Sequence, residues 1–327
     1  MDKMKEIGGY FEMEELMGQE YYPNLIPLNL GRTALKYLIS NRRYKKIYLP
    51  YYICNSVIEA CEKSGVEIKF YYIDKDMCPL LEREPENNAC VYLVNYYGQT
   101  TDSQVREYQN KYKRIIMDYV HAFYQQPLKG IDTLYSCRKF FGLPDGAYLS
   151  SDIFEENSLP IDYSSTRMTH ILGRYEKEGS QYYQTMLNNA SSLREEPVKK
   201  MSRLTHNLLR GIDYSLVRKK REDNYSKLEE KLGRYNKKRF SKPKGPMCFP
   251  FYVKGGELLR KRLVLNHIYI PVYWRDVMLR MSKSTVEYDY AENILALPCD
   301  QRYGTSEMEW MADKIIELLT MAETNGE

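Results

Sequence analysis

The chain has 327 residues, 43% hydrophobic and 28% charged, with a net charge of only +4. This composition excludes a disordered chain, and no apolar run approaches the roughly 20 residues that a bilayer-spanning helix needs. At this length one large domain and a smaller one are expected.

In chain order, LNLGRTALKYLI (28–39) reads as a turn feeding a helix, and KKIYLPYY (45–52) as a strand. NSVIEACEKSG (55–65) reads as a helix closed by Gly65, followed by the strand VEIKFYYI (66–73). ACVYLVNYYG (89–98) and KRIIMDYV (113–120) read as further strands, with the helix DSQVREYQNKY (102–112) between them. TLYSC and GAYLSS read as short strands flanking a loop that holds Lys139. This alternation predicts an α/β fold with a mostly parallel sheet. Residues 163–206 are polar and irregular, and a mobile or substrate-facing segment is expected there. Helical spacing resumes from Ser202 to about Leu232, and KKRFSKPKGP (237–246) is a breaker-rich linker. The rest reads strand (MCFPFYV), helix (GELLRKRLVLNH), strand (IYIPVYW) and terminal helix, with Ser306 and Glu309 as a capping box. The expected division is 1–205 as a large domain and 206–327 as a connecting helix and a small α+β domain.

The seven cysteines are odd in number, scattered and without a CxxC pair, which suits reduced thiols in a cytoplasmic protein. The start, MDKMKEIGGYFEMEEL, lacks a signal peptide's apolar core. Four dispersed histidines predict no metal site. Between residues 198 and 244, sixteen Lys/Arg face five acids. A solvated basic face explains this most simply, attraction of a phosphorylated or nucleotide-linked substrate is the alternative, and no nucleic-acid motif accompanies the charge.

Three residues suggest chemistry. Lys139 sits in an apolar loop between Ser136 and the glycines Gly142 and Gly146; alone, a loop lysine reads as a surface cation. Asp118 ends the apolar run RIIM, where a carboxylate is expensive to bury without a partner, although it could simply cap a turn. His121 follows three residues later. Together, an amine to bond an aldehyde and a carboxylate to face a ring nitrogen are the minimum equipment for holding pyridoxal phosphate (PLP). Gly31, Arg32 and Thr33 open a helix whose free N–H groups favour a phosphate, and Ser136 could add a hydroxyl.

The order of these elements resembles the DegT/DnrJ family of sugar aminotransferases, fold-type I PLP enzymes. The likeness rests on GRTA (31–34), LPYYIC (49–54), NYYG (95–98), DYVHA (118–122), Lys139 with Gly146 seven residues later, VYW (272–274) and LPCDQRYG (297–304). It implies a large PLP-dependent-transferase-like domain, with a smaller C-terminal α+β domain. It implies a transaminase in which Lys139 forms a Schiff base with PLP and Asp118 supports the ring. Gly31, Arg32, Thr33 and Ser136 would bind its phosphate, with Tyr52, Cys54 and His121 about the ring. It further implies an amino donor, glutamate in the family's usual case, and a keto-sugar acceptor, nucleotide-linked, for polysaccharide or secondary-metabolite synthesis. Tyr273, Trp274 and Arg275 are candidate substrate residues, although Trp274 reads equally as core. A homodimer is implied, because the family's sites lie at a subunit interface. Family members that dehydrate carry histidine in place of the lysine.

The chain departs from the pattern in three places. Ser136 lies three residues before the lysine where the family's serine lies about five before, Cys54 stands at an often aromatic stacking position, and 163–206 holds no clear Gly-Tyr-Asn match. A catalytically inactive relative, or another PLP reaction on the same scaffold, are the competing readings.

Overall fold

The computed structural model describes residues 7–86, 88–153 and 158–324. In chain order come β1 (Ile26–Leu28), α1 (Gly31–Arg42), β2 (Lys46–Pro50), α2 (Asn55–Lys63), β3 (Glu67–Ile73), β4 (Pro79–Leu80) and β5 (Ala89–Val94). Then follow α3 (Asp102–Tyr112), β6 (Ile115–Asp118), β7 (Asp132–Ser136), β8 (Ala147–Ser150), α4 (Thr169–Glu176), α5 (Tyr183–Ser192) and α6 (Arg203–Arg210). The last part holds α7 (Tyr214–Leu232), β9 (Cys248–Tyr252), α8 (Gly256–Leu265), α9 (Val277–Arg280), α10 (Val286–Asn293), β10 (Ile294–Pro298) and α11 (Thr305–Thr324).

An eight-stranded sheet in the order β1-β8-β7-β6-β5-β2-β3-β4 forms the centre. Its middle strands β7, β6, β5, β2 and β3 run parallel; β8 and β4 run opposite to them at the two flanks, and β1 pairs antiparallel with β8 at the outer edge. β5 is buried along its whole length, the pattern of a strand covered on both faces, which is why ACVYLV is an unbroken apolar run. The order reverses between β2 and β5, and open α/β sheets bind ligands beyond the carboxyl ends of strands at such a point.

Two apolar cores follow the chain. The first gathers the sheet, α1 and α2, together with Trp274, Val277 and Tyr290 from the C-terminal part. The second lies between α7, β9, α8, β10 and α11, with Leu228, Phe251, Leu263 and Ile315 fully buried.

Four expectations are corrected. Residues 163–206 carry helices α4, α5 and the start of α6, whose amphipathic pattern is weak because α4 and α5 are short and largely exposed. The helical run after Ser202 is two helices: Gly211 ends α6, and Asp213 starts α7 by accepting Leu216 N at 2.9 Å. IYIPVYW is not a strand; His267 and Trp274 adopt φ of 58° and 54°, Pro271 has no N–H to donate, and β9 pairs with β10 instead. Glu307, not Glu309, closes the start of the last helix, accepting Gly304 N at 2.9 Å.

Candidate active site

The carboxyl ends of β2, β5, β6 and β7 converge with the start of α1, and the sequence-nominated groups gather there. Asp118, the last residue of β6, is 4% exposed. Its Oδ2 accepts the Tyr92 hydroxyl at 2.7 Å and its Oδ1 accepts Val120 N at 2.9 Å. Burial raises its pKa above the ordinary aspartate value, while those two bonds and the Lys139 charge pull it back.

His121 is buried at the following turn. Its Nδ1 accepts Tyr97 N at 3.4 Å, which leaves the ring proton on Nε2. Burial and the nearby Lys139 charge push its pKa well below the usual histidine value, so the ring is neutral. The Tyr97 backbone that reaches it has φ of 55°, a strained conformation for a bulky residue.

Lys139 closes a single helical turn, Cys137–Lys139, directly after β7. Cys137 N bonds Gly146 O at 3.1 Å, and Gly146 has φ of 116° with Cys137 and Thr205 so close that a Cβ would stand 3.3 and 3.0 Å from them. Asp145 ties the far end of this loop to α6 through Ser202 N at 2.9 Å and Ser202 Oγ at 2.7 Å. The Lys139 amine lies 4.9 Å from the centre of the Tyr273 ring. The residue is exposed, although protein atoms crowd closely around it. Burial lowers its pKa, opposed by Cys54, Asp118 and Cys248 and reinforced by Arg138; water access moderates the burial effect without changing its direction.

Beside the turn is a cationic cluster. Arg32, in the first turn of α1, and Arg138 feel each other's charge, and Arg138 is pushed down to about 10 by burial first and then by Arg32. Arg32 Nη1 and Arg138 Nε are buried without a partner. Ser136 Cβ lies 4.0 Å from where a Cβ on Gly31 would stand, so the half-buried serine faces the helix start. Thr33 differs: its hydroxyl donates to Asn29 Oδ1 at 2.5 Å and accepts Leu30 N at 3.1 Å, which leaves only its backbone N–H for a ligand.

Aromatic rings fill the other side. Trp274 is 8% exposed, with ring centres of Tyr52 at 4.4 Å, His121 at 5.2 Å and Tyr96 at 5.5 Å. Tyr52 is buried, its hydroxyl 3.4 Å from that of Tyr97. Cys54 starts α2, half-buried, with its sulfur 3.0 Å from Ser56 Oγ. Arg275 is exposed and away from this cage. Two cavities beside Tyr96 and Tyr108, about 10 and 20 Å³, are water-sized and do not include Lys139.

Sequence reasoning missed Tyr92 and Arg138, and took Tyr97 only as part of NYYG, without a role. Arg138 had a signal, its position beside Lys139; Tyr92 stands in an apolar run where the many other tyrosines give it no distinction.

The architecture is shared with solved enzymes. It matches the aminotransferase TlmJ from Streptoalloteichus hindustanus at a TM-score of 0.64 and 14% identity, over 91% of this chain and 86% of that one. NtdA from Bacillus subtilis, solved with bound cofactor PMP, matches at 0.63 and 15%, over 90% and 73%. Helicobacter pylori PseC, an aminotransferase involved in pseudoaminic acid biosynthesis, matches at 0.60 and 13%, over 89% and 85%. The chain therefore has the fold of these aminotransferases. No family model and no curated protein matches it.

Proposed function

We propose that the chain is a PLP-dependent aminotransferase that takes an amino group from an amino acid, glutamate first among candidates, and gives it to a nucleotide-linked keto-sugar. The observation that carries this reading is the gathering of a pKa-lowered lysine, a buried carboxylate and two arginines with buried unpartnered nitrogens at the reversal point of this particular sheet. The donor set fits the cofactor. Arg32, Arg138, Ser136 and the first turn of α1 would take its phosphate, Asp118 its ring nitrogen and Lys139 its aldehyde. PLP supplies an electron sink for the amino carbon when bound.

The chain's own residues have separate tasks. The Asp118 carboxylate, held by Tyr92 and Val120, keeps a positive ring nitrogen charged. Lys139 Nζ, with its pKa lowered from the ordinary lysine value, is better suited than a free lysine to accepting and returning a proton. Neutral His121 packs as a flat wall and offers its Nε2–H, and Tyr273 sets its ring face 4.9 Å from the lysine amine. Tyr273 and Trp274 line the substrate side.

A homodimer in the cytoplasm belongs to the same proposal, as does the division at about residue 205. Ile7, Tyr10 and Phe11 are 98–99% exposed, and Tyr175 on α4 is 91% exposed, large apolar side chains that a second copy could cover. Among the described residues no helix is long and apolar enough to cross a membrane.

The test is a half-reaction. Purified protein loaded with PLP and mixed with glutamate should lose its yellow absorbance and release 2-oxoglutarate; a full panel of amino acids leaving the spectrum unchanged would refute transamination.

A further inference from the structure

Arg221 is the largest fully buried side chain, 1% exposed, in the middle of α7. Its helix neighbours Arg218 and Lys219 pair outward with Glu222 and Asp223, whereas Arg221 turns inward. Every hydrogen bond it makes goes to a main-chain carbonyl. Nη2 donates to Phe140 O at 2.8 Å, and Nη1 donates to Pro246 O at 2.9 Å and Met247 O at 3.3 Å. Its guanidinium carbon lies 4.7 Å from the centre of the Phe140 ring. Gln301, just beyond β10, donates Nε2 to the same Phe140 carbonyl at 2.8 Å. Phe140 immediately follows Lys139.

A buried cation whose partners are all neutral is costly, and an apolar side chain of similar size would fill the same volume more cheaply. What the fork provides is geometry. It joins three separated segments, the Lys139 turn, the linker into β9 and α7, in one planar arrangement that a lysine cannot reproduce.

We infer that Arg221 is a positioning residue for Lys139: with Gln301 it clamps the Phe140 carbonyl and so locks the lysine turn to the linker and the small domain. The inference rests on the reading of Lys139 as the cofactor lysine. The clamp fixes one end of the turn and the Cys137–Gly146 bond fixes the other, so the amine has a defined origin. Without the clamp the turn relaxes, and the amine loses the close protein surroundings that now lower its pKa.

The test uses the full chain in two measurements. Without cofactor, competitive acetylation read by mass spectrometry gives the pH midpoint of Lys139 labelling in the wild type, Arg221→Met, Arg221→Lys and Gln301→Leu. With PLP, the fraction of bound cofactor fixed to Lys139 by borohydride is compared with the total bound. The clamp predicts a midpoint higher by about one pH unit in Arg221→Lys as well as Arg221→Met. It also predicts a fixed fraction at least several-fold smaller, with total PLP binding kept through the phosphate. Arg221→Lys retains the charge, so a wild-type midpoint there beside a shifted Arg221→Met would make the effect one of charge alone and overturn the clamp. Unchanged midpoints with lowered melting temperatures would overturn it too, leaving a structural side chain. Should Arg221→Met fail to fold, Arg221→Lys and Gln301→Leu carry the same comparison. Absence of any fixed PLP in the wild type would sink the cofactor reading while the labelling arm still judges the clamp.

Discussion

The Tyr92 hydroxyl donates to Asp118 Oδ2 at 2.7 Å, linking neighbouring parallel strands just where the carboxylate leaves the sheet. Asp118 is costly to bury as an anion, and this bond and the one from Val120 N make its charge tolerable. Tyr92 thus supports the carboxylate that the proposed chemistry needs ionised.

Replacing Tyr92 by Phe removes that donor and leaves the shape nearly unchanged. The expected cost is about 1.5–3 kcal/mol, typical of a buried hydrogen bond to a charged group. The Asp118 pKa rises further, and cofactor binding weakens most below neutral pH, where the carboxylate is more readily protonated. Thermal denaturation and PLP titration at two pH values check both effects.

Lys139 predicts a pH signature in the cofactor-free protein. Its folded pKa is lowered, so between that value and the ordinary lysine value the unfolded chain binds more protons. Stability contributed by this site therefore rises with pH across that window. The difference between wild type and Lys139→Met should change in that direction and be flat below it. Urea denaturation across the alkaline range measures it, and a difference independent of pH would mean that the amine is ordinary.

Arg32→Ala and Arg138→Ala should each weaken PLP binding roughly 10- to 100-fold, the value of a charge-assisted hydrogen bond to phosphate. Binding of pyridoxal, which has no phosphate, should be nearly unchanged. Because the two half-buried guanidiniums repel each other, the cofactor-free variants should be no less stable than the wild type. Equal losses for PLP and pyridoxal would place the phosphate elsewhere.

Much of the frame was legible because local signals agreed with the fold. β2, β3, β5 and β6 follow from apolar runs bounded by turns, and α3 from the run DSQVREYQNKY; the structure adds a cap, Thr101 and Gln104 bonding reciprocally at 2.9 and 3.3 Å. Asp118 was legible because a charge at the end of an apolar strand demands a partner. Arg221 was not: it lies within the basic tract, and a side chain satisfied by carbonyls leaves no complementary residue in the sequence. The segment before α9 read as a strand because IYIPVYW is rich in β-formers, yet no strand stands beside it to pair. ILALP (294–298), shorter still, became a strand because β9 stands beside it.

The most direct test of the account is borohydride reduction of the PLP-loaded protein followed by peptide mass mapping. The account predicts one pyridoxyl group per chain, on Lys139, lost in Lys139→Met. A group on any other lysine, or none on a protein that still transaminates, would contradict it.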